Sequence, residues 1–234
     1  PLLLVLAVLA DVVVRRPGWA TLRMVAFGLT ALWIETTSEL RALWFWVSQP
    51  LARRTWTERN HELMQWWAGR LMKGAERVVG LRFHVDEPAG LGPGPLIVFG
   101  QHVSIVDAVM PAYLLGTQRG WNLRYTLTRG LRFDPCLDIV GQRIPNHFIA
   151  RGSGADPREL ATLRTLVTGM EEDEAAVIFP GGGLYTPDGL ARAVEMLTER
   201  GSPQAEAARA FRHVMPPRPG GALAFFDGAP DANV

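Results

Sequence analysis

The rhythm of apolar and polar positions changes twice along the chain. From Leu2 to Val14 every residue is apolar except Asp11, and Arg15-Arg16 follow. A bilayer core of about 30 Å needs roughly 20 apolar residues, so this run reads as the end of a truncated span. A second apolar stretch, Trp19 to Val47, is broken by Arg23, Glu35, Glu39 and Arg41. That pattern fits an interfacial or partly embedded helix better than a clean span. A secretory signal ranks low, because no small-residue cleavage site precedes Arg15-Arg16. Over residues 55–79, Leu63, Trp66, Trp67, Leu71, Ala75 and Val78 recur at helical spacing, which predicts an amphipathic connecting helix.

From residue 80 short apolar runs alternate with helical patterns. Leu81–Val85, Leu96–Phe99, Leu123–Leu127, Phe148–Ile149, Ala175–Phe179 and Ala222–Phe226 read as strands. Ile105–Leu115, Asp156–Met170 and Asp188–Glu199 read as helices, the second opened by Asp156-Pro157 at its N-cap and first turn. The fold class expected is α/β, a mixed sheet flanked by helices, behind an N-terminal membrane-associated helical region. Three parts follow: anchor helices over 1–54, the connecting helix over 55–79, and an α/β domain over 80–234. The chain starts at Pro1 and ends at Val234 just after a strand-like run. It therefore reads as a fragment whose first hydrophobic segment and C-terminal structure are cut short.

Composition narrows the function. A net charge of +1 over 234 residues argues against a nucleic-acid coat. Cys136 is the single cysteine, so no internal disulfide and no cysteine metal cluster can form. That suits a reducing, cytosol-facing compartment. Lys73 is the single lysine and lies far from any glycine-rich loop, which removes P-loop and Schiff-base chemistry. His61, His84, His147 and His213 are scattered without metal spacing. Tryptophan points to a membrane surface. Seven of the eight, Trp19, Trp33, Trp44, Trp46, Trp56, Trp66 and Trp67, fall in the first 67 residues, near Arg15-Arg16 and Arg53-Arg54. Indole rings favour the headgroup level, and helix-core packing is the competing use.

The candidate chemistry sits at a strand-to-helix junction, Gly100-Gln101-His102-Val103-Ser104-Ile105-Val106-Asp107. A five-residue offset does not put His102 and Asp107 on one helical face. With His102 in the loop and Asp107 in the first helical turn, the carboxylate can accept from Nδ1–H and leave Nε2 free to take a proton. The substrate hydroxyl would then be the nucleophile. The same residues also read as a capping box, Ser104-x-x-Asp107, and on the residues alone both readings stand.

This stretch resembles the H-x-x-x-x-D motif of the glycerolipid acyltransferases. Other blocks follow in order. Residues Gly141 to Arg151, with Arg143, Phe148, Ile149 and Arg151, resemble the second family block, usually ending F-I-D-R. Phe179-Pro180-Gly181-Gly182-Gly183-Leu184 stands at the third, usually F-P-E-G-T-R, and Val214-Met215-Pro216-Pro217 resembles the proline-bearing fourth. The likeness covers residues 80 to 227. It implies His102 as base, Asp107 as its orienter, and Arg151, Phe148, Ile149, Arg143, Gly181, Gly182 and Gly183 as substrate-binding positions. It implies an acyl-CoA or acyl carrier protein as co-substrate, with no metal or cofactor. The acceptor would be a lysophospholipid, with membrane lipids as partners and the catalytic domain on the cytoplasmic side. The departures lie at the acceptor site. Gly181 and Leu184 replace the third block's Glu and Arg, and Ala150 replaces the second block's Asp. Glycines 181–183 can present backbone N–H groups to an anion or simply form a flexible turn. Arg129, Arg132 and Arg143 are candidates for a basic cleft or are solvated, and Arg132 is read as solvated. Those departures keep open an acceptor without phosphate, or a non-catalytic lipid-binding role.

Overall fold

A computed structural model describes residues 2–14, 17–85, 92–150 and 156–234. The chain divides into two compact units, Pro1–Leu91 with Asp134–Arg143, and Gly92–Phe133 with Ile144–Val234.

The first unit is helical: α1 (Leu2–Val14), α2 (Ala20–Ser48), α3 (Trp56–Gly74) and, from further along the chain, α5 (Pro135–Gly141). The buried Asp11 has a local purpose. Its carboxylate accepts from the N–H groups of Thr21 and Leu22 at 3.0 and 2.8 Å, capping the start of α2. The turn between α1 and α2 places Gly18 and Trp19 at positive φ. A capping box of Thr55 and Glu58 opens α3. Arg59 is buried and ties α3 to the end of α2 through Phe45 O, Gln49 Oε1 and Ser48 Oγ. The outer faces of α1 and α2 stay apolar and exposed, with Leu32, Trp33, Trp44 and Trp46 each more than 60% accessible. Among the described residues no helix is long and apolar enough to cross a membrane.

The second unit holds four strands, β1 (Leu96–Phe99), β2 (Asn122–Thr128), β3 (His147–Ile149) and β4 (Glu174–Ile178), in the order β1-β4-β2-β3. Every pairing is parallel, so the expected mixed sheet is corrected to a parallel one. Helical crossovers return the chain to the same end each time: α4 (Ile105–Pro111) after β1 and α6 (Pro157–Val167) after β3. β4 is buried at all five positions, as an interior parallel strand requires.

Two expected strands are absent. Leu81–Val85 joins no ladder and belongs to the first unit. Ala222–Phe226 lies inside a helix, α9 (Pro219–Gly228), which follows the short α8 (Ala205–Arg209). A short apolar run fits strand or buried helix equally well by periodicity. Pro219 at the first helical position decides it. Ala224 and Phe225 are buried while Leu223 and Phe226 face outward. Phe225, Leu163, Val167, Ile97, Ala176 and Ile178 form the core of this unit. Helix α9 approaches that core closely because Gly221 carries no side chain: a β-carbon there would meet Ile178 Cδ1 at 2.8 Å.

Candidate active site

Parallel sheets expose their strand C-termini as a binding edge. β1 and β4 are neighbours, so the loops leaving them sit side by side. The β1 loop carries His102. The β4 loop carries Phe179 and the three glycines, and continues into α7 (Pro187–Glu199).

Three contacts join the loops. Gly100 N–H donates to Ile178 O at 2.9 Å, and Tyr185 N–H donates to His102 O at 2.7 Å. The His102 and Phe179 rings lie 5.1 Å apart, tilted by 40°. Gly100 is required here, because a β-carbon would run into the Phe179 ring. The imidazole is half-buried, and its Nδ1 is buried with no hydrogen-bond partner. Leaving such an atom unpaired costs about 1–3 kcal/mol, and a catalytic role is one of the reasons a fold retains such an atom.

Asp107 is in the first turn of α4, as expected, but its hydrogen bonds go elsewhere. Oδ2 accepts from Val103 N–H at 2.7 Å and Ser104 N–H at 2.6 Å, and Ser104 Oγ accepts from Val106 N–H at 3.1 Å. The capping box is therefore formed, and the expected bond to His102 Nδ1 is not. The reason is local. The N-terminal amides of α4 are the nearest unsatisfied donors, and the carboxylate closes over them. Asp107 holds the backbone that follows His102.

The other expected residues separate. Gly181, Gly182 and Gly183 lie in the β4 loop, whose Phe179 and Tyr185 touch His102. Gly182 has φ +68° and donates its N–H to Phe179 O at 2.9 Å. Phe148 and Ile149 are half-buried on β3, in register with Leu127 and Thr128 of β2, and Ile149 packs on the core. Arg143 belongs to the first unit, where it donates to Ala42 O at 3.1 Å and stacks over the Trp56 ring at 4.5 Å. Burial there lowers its pKa, and its guanidinium is engaged in packing α5 against α2 and α3 rather than in a basic cleft. Arg129 is drawn to Glu159 and Phe148 O, and His147 shares that same Glu159. Arg151 lies outside the described residues. Phe179 enters the sequence reading only as the first residue of the third block and Tyr185 not at all, and adjacency to the glycine run is the signal that could have marked Tyr185. Among the described residues no cluster of His, Cys, Asp and Glu is placed to hold a metal.

A half-buried imidazole on a fixed loop, beside a glycine-rich turn at the binding edge of a parallel sheet, is suited to taking a proton from a bound hydroxyl. Comparison with known families gives the class: the acyltransferase family model matches residues 82–221, more than half of the chain. The chain belongs to the glycerolipid acyltransferase family. Comparison with curated proteins and with solved structures gives no match.

Proposed function

We propose that this acyltransferase-family protein moves a fatty acyl group from an acyl thioester, acyl-CoA or acyl carrier protein, to the free hydroxyl of a lysophospholipid such as 1-acyl-glycerol-3-phosphate. The observation that carries the proposal is His102. Its ring is fixed by Phe179, its carbonyl by Tyr185 and the following amides by Asp107, and Nδ1 is buried without a partner. His102 takes the acceptor's hydroxyl proton as the oxygen attacks the thioester carbon. The C–S bond breaks, and the imidazolium returns the proton to the departing thiolate. Asp107 keeps the loop in place and stabilises the imidazolium by its charge. No covalent enzyme intermediate is needed.

Membrane association on the cytoplasmic side is part of the proposal. The exposed apolar faces of α1 and α2, with Trp33, Trp44 and Trp46, support it. Both the acyl chain and the acceptor partition into lipid. A second reading, an acceptor without phosphate or a non-catalytic lipid-binding role, is favoured by the uncharged Gly181 and Leu184.

The test is transfer of an isotope-labelled acyl group from acyl-CoA or acyl carrier protein, in vesicles, to lysophosphatidic acid or monoacylglycerol. Label in phosphatidic acid supports the first reading. Label in diacylglycerol alone moves the acceptor to the second, and label in neither product with either donor refutes acyl transfer. Co-sedimentation with the vesicles tests the membrane role.

A further inference from the structure

Arg218 stands at the glycine-rich turn and has no part in the chemistry above. Its backbone N–H donates to Pro180 O at 2.9 Å. Its guanidinium lies against Gly182, where a β-carbon would stand 3.2 Å from Cζ and Nη1. Gly182 therefore serves twice, taking the left-handed φ of the turn and leaving room for the arginine. Beside it Gly181 leaves room for Met215, whose Cβ would lie 3.0 Å from an added β-carbon. The Tyr185 hydroxyl donates to Arg212 O at 2.6 Å. Residues 212–218 are thus laced to the same turn that touches His102 through Phe179 and Tyr185.

Elsewhere in this unit Arg124 is paired with Glu174 and Arg129 with Glu159. Arg218 is not. It is exposed, its side chain makes no cap to α9, and among the described residues its guanidinium has no hydrogen-bond or ion-pair partner. A guanidinium located by its backbone, with its donors unspent, offers a planar fork that matches two oxygens of a phosphate.

We infer that Arg218 binds a phosphate monoester of a substrate at this turn. The inference rests on the acyl-transfer reading above. Either substrate can carry the group: the glycerol phosphate of the acceptor, or the 3′-phosphate of coenzyme A.

The experiment compares the wild type with Arg218→Ala and Arg218→Lys, each checked by thermal melting. Binding of lysophosphatidic acid and of monoacylglycerol is measured in mixed micelles, alongside KM for acyl-CoA and for its 3′-dephospho form. Arg218→Ala is expected to weaken binding of the phosphate-bearing ligand by roughly 10- to 100-fold, the range for charge-assisted hydrogen bonds. Arg218→Lys recovers part of it, keeping the charge and losing the fork. Loss with lysophosphatidic acid but not with monoacylglycerol assigns the acceptor phosphate. A raised KM for acyl-CoA but not for its dephospho form assigns the donor. Unchanged handling of both phosphate-bearing ligands by a folded Arg218→Ala overturns the inference while wild-type thiol release still upholds acyl transfer. A wild type that binds lysophosphatidic acid through Arg218 yet releases no thiol keeps the phosphate site and overturns the transfer reading.

Discussion

Replacing Asp107 separates two jobs of its carboxylate. Oδ2 accepts from the N–H groups of Val103 and Ser104 at 2.7 and 2.6 Å. An asparagine carbonyl can accept the same two bonds, so Asp107→Asn leaves the start of α4 capped. Asp107→Ala removes the acceptor, and loss of a cap costs about 1 kcal/mol, or roughly 2–4 °C of melting temperature in a chain of this size. Asparagine does lose the negative charge held against the residue that follows His102. No hydrogen bond joins Asp107 to His102, so the charge acts on the imidazolium through space, an interaction of about 1 kcal/mol in a solvated setting, which corresponds to a kcat lowered roughly 5-fold. The assay is thermal melting beside steady-state thiol release for the wild type and both variants. Asp107→Asn is expected to melt with the wild type and lose activity, and Asp107→Ala to lose both. Full kcat in Asp107→Asn would refute the role of the charge. An Asp107→Ala variant melting with the wild type would refute the cap.

Two further outcomes follow from buried groups. Burial raises the Glu35 carboxyl to about 7; the Trp67 indole N–H, donating at 2.7 Å, opposes the shift, and Asp134 and Glu39 reinforce it. The fold therefore favours the protonated acid. Its stabilisation is complete below the ordinary value of 4.5 and is lost as pH rises through about 7. Because the side chain is partly solvated, a loss of about 1–2 kcal/mol between pH 5 and 8 is expected. Glu35→Gln, melted at both pH values, should remove most of that difference, and an undiminished pH dependence would exclude Glu35 as its source. At the candidate site, Gly100→Ala drives a methyl group into the Phe179 ring that packs on His102. Overpacking costs about 1–3 kcal/mol, so melting temperature and kcat should both fall, and a variant matching the wild type in both would show that the ring shelf is not needed.

Much of the second unit was readable because its signals are local. β1 falls on the run Leu96–Phe99 that the sequence marks, and β4 is a continuous apolar stretch apart from Glu174, whose carboxylate is taken by Arg124. α6 and α7 both begin with a side-chain cap followed by proline. What stayed hidden depends on distant partners. Sheet direction follows from how the crossovers return, which no single run encodes, so parallel pairing was missed. In α9 the apolar run outweighed Pro219, the local sign that the chain enters a helix there. Asp11 looked like an interruption until its carboxylate met the amides of Thr21 and Leu22. At the site, His102, Asp107 and the glycines 181–183 were marked by motif. The bonds Asp107 makes were marked equally by the capping box, and only the structure chose between the two. Arg143 shows the converse: its place in the second block suggested substrate, and its packing on Trp56 and Ala42 gives it a structural use. Arg218 carried no signal, because its value comes from Gly182 being close in space and not in sequence.

The most direct test of the central claim is thiol release from acyl-CoA by the purified protein in detergent or vesicles, with lysophosphatidic acid as acceptor and His102→Ala beside the wild type. Acceptor-dependent release is expected from the wild type, falling about 10²- to 10⁴-fold in the variant, the usual contribution of a positioned general base. Equal release from both proteins, or none from the wild type with either acyl-CoA or acyl carrier protein, would contradict His102-based acyl transfer.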